Sequence, residues 1–143
     1  RNNVVIRFPE TKIEEAYKQI RDVLSIKVLA LEHLPEDLEF DSFIMVNNKG
    51  IIKLGHENRR IYLEEKALDE KATISVLVMD RDAGNTIQND WIDKELYLEE
   101  NLLQSGDVEY SIQFDTDSAT YYLSGIMDKK EFIDIVENLY FWN

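Results

Sequence analysis

From Thr11 onward, Ile13, Ala16, Tyr17, Ile20, Val23 and Leu24 recur at steps of three and four, with Glu14, Glu15, Lys18 and Arg21 between them. That spacing lays one apolar stripe along a helix. Thr11 followed three residues later by Glu14 is a capping-box pattern, so the helix is expected to start there. Ahead of it, Val4, Val5, Ile6 and Phe8 run into Pro9 and predict a short extended entry. Residues 25–31 are apolar without a single period, and Leu34-Pro35 ends whatever element they form.

The period then changes to two. Phe40, Phe43, Ile44, Met45 and Val46 lead through Asn47-Asn48-Lys49-Gly50 to Ile51, Ile52 and Leu54, which predicts a hairpin. Residues 60–64 and 73–79 predict neighbouring antiparallel strands. Residues 80–90 form the longest polar stretch, with Gly84-Asn85 as a turn signal, and Trp91-Ile92 after it is expected to re-enter the fold as an apolar anchor. Residues 94–98 predict a further strand. Val108-Glu109-Tyr110-Ser111-Ile112-Gln113-Phe114 alternates as a half-buried strand does, turns at 115–118, and returns along 120–125 as a second hairpin. Asp128 and Glu131 then open a helix whose apolar face is Phe132, Ile135, Val136, Leu139 and Tyr140, carried through the sequence ENLYF. No repeat or linker interrupts the chain. The expected fold class is α+β: one domain over 1–143, a curved antiparallel sheet with the N-terminal and C-terminal helices packed against it.

Charge narrows the function. Sixteen Lys and Arg against 29 Asp and Glu give a net charge of -13, which repels phosphate backbones and anionic headgroups and argues against a nucleic-acid partner. The apolar runs fall far short of the roughly 20 residues a membrane helix needs. Membrane contact is therefore expected only through a segment upstream of Arg1.

Catalytic signals are missing from the pattern. The chain has no Cys, and its two histidines, His33 and His56, would need distant carboxylates to complete a zinc site. The Asp80-Arg81-Asp82 and Asp115-Thr116-Asp117 segments break the calcium-loop pattern at the next ligand positions. Neither a nucleophile elbow nor a phosphate-binding glycine loop is present. The expectation is no catalytic residues, no metal and no cofactor. A hydrolase built on adjacent carboxylates is the least favoured reading. Most of the aromatics fit a core. Tyr121 and Tyr122, adjacent in a strand, must face opposite ways, so one of them, together with Trp91, is a candidate for a ligand or partner face.

The C-terminal Tyr121-Tyr122-Leu123-Ser124-Gly125 followed by Lys130-Glu131-Phe132-Ile133-Asp134-Ile135-Val136-Glu137-Asn138-Leu139 resembles the closing signature of the domain-of-unknown-function 4367 family. That signature is a strand reading roughly Y-x-L-x-G and a helix reading roughly E-[LF]-I-x-I-[AV]-E-[SN]-[LI]. Leu34-Pro35-Glu36-Asp37-Leu38 stands where the family carries its L-P-x-x-[FLM] element. The resemblance implies an extracytoplasmic domain of a membrane-anchored Firmicutes protein, sometimes linked to sigma-factor (anti-sigma) regulation. It carries no catalytic residues over.

Together these readings give a non-enzymatic sensor or interaction domain whose partner is a protein, peptide or envelope component, held on a sheet face or edge the helices leave open. The alternative is a cytosolic acidic binder, resembling an immunity protein, that neutralises a basic partner.

Overall fold

The computed structural model describes residues 9–68 and 83–143, with side chains from 12 and from 84 onward. The expected entry strand before Pro9, the 73–79 strand and the start of the 80–90 loop lie outside the described residues.

Helix α1 spans Pro9–Leu24. It starts at the proline, whose fixed φ suits a first turn, so Thr11 sits inside the helix instead of capping it. Ile13, Ala16, Tyr17 and Ile20 are buried as the periodicity requires, but Val23 is 60% exposed: the core ends one turn before the helix does. The ambiguous stretch after it contains strand β1, Val28–Ala30, buried at all three positions.

The first expected hairpin is present as β2, Glu39–Val46, and β3, Lys49–His56, with Asn47 at φ 56 in its two-residue turn. A second tight turn, with Glu57 at φ 54, leads to β4, Arg59–Ala67. After a single 3-10 turn at Ala83–Asn85 come two short strands, β5 (Thr86–Ile87) and β6 (Leu96–Tyr97), paired with each other. Strand β7 is Glu99–Leu102, and the second expected hairpin is β8, Val108–Asp115, with β9, Ala119–Ile126.

Among the described residues, six strands form one antiparallel sheet in the order β2-β3-β4-β9-β8-β7. The long pairing of β4 with β9, from Arg60↔Ile126 to Ala67↔Ala119, closes its middle. Both edges of β4 are thus occupied by β3 and β9.

Helix α2, Lys129–Glu137, stops four residues before the expected end at Phe141. Tyr140–Trp142 is strand β10, paired with β1 through Ala30↔Tyr140 and Val28↔Trp142. The local pattern 132-135-136-139-140 fits a longer helix equally well. A partner strand more than a hundred residues away decides the outcome. Asp128 occupies the N-cap position without a side-chain bond, and Glu131 turns to Arg59 at 2.6 Å instead of completing a capping box.

Both helices lie on one face of the sheet. Ile20 of α1 sits where a Cβ on Gly50 would be, and Phe132 of α2 sits where a Cβ on Gly125 would be. Gly125 therefore lets α2 pack close against β9. The β1-β10 ribbon is clamped beside them. Phe141 meets the buried Tyr121 ring edge-on at 5.8 Å, and the Leu31 amide donates to the Tyr17 hydroxyl at 2.9 Å. The buried residues of this face, from Ile52 and Leu63 to Leu123 and Phe132, form the core.

Candidate functional site

The opposite face of the sheet carries no helix among the described residues. Strand alternation fixes which side chains stand on it. With Ile61, Leu63, Tyr121 and Leu123 buried inward, the outward positions include Arg60, Tyr62, Glu64 and Lys66 on β4 and Thr120, Tyr122, Ser124 and Ile126 on β9. Lys49 and Lys53 of β3 stand beside Lys66 and Tyr62.

The small residues Gly55 and Ser124 keep the floor low. A depression of about 870 Å³ opens over them, walled by Lys53, Arg60, Tyr62 and Tyr122 and by the acids Glu39 and Glu109. Its centre is an aromatic pair: the Tyr62 and Tyr122 rings meet edge to face with centroids 6.0 Å apart. Such a contact contributes about 0.5–1.5 kcal/mol beyond area burial and fixes the ring planes. The Tyr62 hydroxyl donates to Glu64 Oε1 at 2.7 Å, and Lys49 Nζ lies 3.9 Å from the same oxygen. Partial burial, then that bond and the charge of Glu64, push the Tyr62 hydroxyl up to about 12, so it stays a donor at all physiological pH. Lys53 Nζ lies 6.0 Å from the Tyr62 ring centroid.

The sequence-derived candidates separate. Tyr122 stands on the open face. Tyr121 does not: it is fully buried, stacked on Phe114 at 5.0 Å, with its hydroxyl donating to the Lys27 carbonyl. It belongs to the core. Trp91 is 68% exposed while its neighbour Ile92 is buried, so the anchor is Ile92 alone.

Trp91 sits in a loop fastened to α2, on the covered side of the sheet. Asn89 Nδ2 donates to the carbonyls of Val136 at 2.7 Å, Glu137 at 3.2 Å and Leu139 at 3.0 Å, and Asn89 Oδ1 accepts the Trp91 and Ile92 amides. The structure therefore does not bring Trp91 and Tyr122 together. Tyr62 was legible as one of several aromatics that fit either a core or a recognition face, and Lys53 and Arg60 only as ordinary strand residues; the register that assembles them depends on the distant β4-β9 pairing.

Beneath the sheet, Glu65 is fully buried. Its Oε1 accepts the Leu29 amide at 2.7 Å and its Oε2 has no hydrogen-bond partner. Burial pushes its carboxyl well above the usual range. Arg59 joins Asp37 and Glu131 in a bridge from the segment before β2 to α2, and that guanidinium holds the Asp37 carboxyl below its ordinary value.

Among the described residues no group of His, Asp and Glu is arranged to hold a metal ion, and no helix is long and apolar enough to cross a membrane. No family model, curated protein or solved structure matches the chain.

Proposed function

We propose that this chain is a non-enzymatic interaction domain whose working surface is the open face of the sheet. We further propose that it serves as the extracytoplasmic sensor or interaction part of a membrane-anchored bacterial protein. One observation carries the first statement: both helices and the β1-β10 ribbon take the same face, and among the described residues none covers the Tyr62-Tyr122 pair and its depression. Aromatic rings held rigidly at a concave surface among mixed donors and acceptors are what recognition sites are built from. The setting rests on the pattern of residues 34–38, 121–125 and 130–139 alone. The partner is a protein, peptide or envelope component.

The acidic binder of a basic partner is less well supported at this face. Lys49, Lys53, Arg60 and Lys66 stand outward on β3 and β4, so a basic surface would meet like charge over that part of the face.

Lysine acetylation footprinting tests the site. Dilute protein is labelled with and without the envelope fraction of the cells that make it. Protection of Lys53 and Lys66, with Lys18 and Lys130 unchanged, is expected; protection confined to the helices contradicts the reading. An apolar stretch of about 20 residues encoded upstream of Arg1 is the expected sign of the anchored setting, and a start codon immediately before Arg1 contradicts it.

A further inference from the structure

On the open face, cations of β3 and β4 stand across strand β9 from acids of β8 and β7. In one cross-strand row Arg60 and Glu109 flank Ile126; in another Lys66 and Asp115 flank Thr120. In the row between, Tyr62 and Ser111 flank Ser124, with Lys53 outside Tyr62 and Glu99 outside Ser111. Lys53, Arg60 and Lys66 thus each have an acid at the same row and the same number of strands from β9 on the β8-β7 side, while Lys49 lies 3.9 Å from Glu64 on its own side. In the remaining row Glu64 stands opposite Gln113 across Tyr122. None of Lys53, Arg60, Lys66, Glu99, Glu109 and Asp115 makes an ion pair among the described residues.

We infer that the occupant of this face is a second copy of the chain, packed face to face about a two-fold axis running along β9. The inference rests on reading the open face as the working surface and names its partner. A two-fold axis in that position keeps each row and exchanges the two sides, so Arg60 meets Glu109 of the other copy, Lys66 meets its Asp115 and Lys53 meets its Glu99. Self-complementarity of this kind is what an isologous interface requires. Tyr122 lies on the axis and meets its own equivalent, and Glu64 meets Gln113, whose amide can donate to it. The sign pattern fits a mixed-charge surface better than a uniformly charged ligand, which would be repelled by one half or the other.

The size also fits. Five strands about 4.8 Å apart and four rows about 6.8 Å apart cover on the order of 650 Å² per copy. Both copies together reach about 1,300 Å², within the range of specific interfaces. Strand β2 overhangs, with Ile44 and Val46 exposed on it.

Sedimentation equilibrium of the whole chain at about 100 µM tests this. Wild type is expected at twice the chain mass. Arg60→Glu with Lys66→Glu makes both halves acidic, and Glu109→Lys with Asp115→Lys makes both halves basic. Each double variant is expected to be monomeric, with self-association weakened at least tenfold, and an equimolar mixture of the two is expected to pair again. Because the chain has no Cys, Tyr122→Cys offers a second readout: facing sheets stand about 10 Å apart, beyond disulfide reach, so a short bis-maleimide cross-linker is expected to link two copies through it, and not through Val23→Cys on α1. A monomeric wild type, or a dimer unaffected by either reversal, overturns the assignment. So does a dimer that Tyr122→Cys fails to trap. A monomeric wild type whose Lys53 and Lys66 are still protected by the envelope fraction would overturn only the second copy and leave the proposed working surface standing.

Discussion

Glu65 Oε1 accepts the amide hydrogen of Leu29 at 2.7 Å from inside the core, so a strand of the main sheet holds the β1-β10 ribbon through an acid that water does not reach. Burial keeps the folded carboxyl neutral, while in the unfolded chain it ionises near pH 4.5. The folded state therefore binds more protons than the unfolded one between those two values. The group's contribution is fully present below about pH 4.5 and is lost as pH rises toward the raised value. Glu65→Gln removes that dependence. Its melting temperature is expected to exceed wild type at pH 8, with the difference shrinking toward pH 5; a gap that widens toward pH 5 contradicts the assignment.

Asn89 fastens the 88–92 loop to the end of α2. Its amide reaches the carbonyls of Val136 and Glu137 in the last turn of the helix and of Leu139 just past it, and its oxygen takes two loop amides. Asn89→Ala is expected to cost about 1–3 kcal/mol by urea denaturation. Asn89→Asp should lose stability as well, because it keeps the acceptor but sets an oxygen against the three carbonyls. Wild-type stability in both variants would show the clasp to be incidental.

A methyl on Gly125 would lie 2.8 Å from Phe132 Cδ1 and 3.1 Å from Ile61 Cδ1. Both are core atoms with nowhere to retreat, so Gly125→Ala is expected to destabilise by about 1–3 kcal/mol through overpacking. An unchanged denaturation midpoint would mean that α2 sits farther from the sheet.

Glu57 adopts φ 54 in the turn between β3 and β4, a left-handed conformation that costs a residue with a Cβ. Glu57→Gly is expected to raise stability by about 0.5–1 kcal/mol, since the side chain is exposed and makes only a 3.8 Å contact with His56. A loss of stability would point to an unrecognised role for that contact.

The hairpins and α1 were legible because local periodicity and turn residues agree with the fold. Phe132, Ile135 and Val136 were legible as a helix face for the same reason. The end of α2 was not, because Leu139 and Tyr140 satisfy a helical period while their structure is set by pairing with β1. The sequence placed Tyr121 and Tyr122 on opposite faces but could not say which faced out. That choice depends on which side Phe132 and Phe141 pack against. Trp91 looked like an anchor because large aromatics dominate cores, yet Asn89 turns the chain so that Ile92 goes in instead. The open face itself is a product of long-range register, and no short window of sequence contains it.

The central claim is that Tyr62 and Tyr122 are held on the open face for recognition rather than for stability. The direct measurement compares wild type with Tyr62→Ser/Tyr122→Ser, recording the urea midpoint and the acetylation rates of Lys53 and Lys66 with the envelope fraction present. The account predicts loss of lysine protection with a stability change of no more than about 2 kcal/mol, since the pair is only half-buried. Retained protection, or a variant that unfolds as a core mutant does, would contradict it.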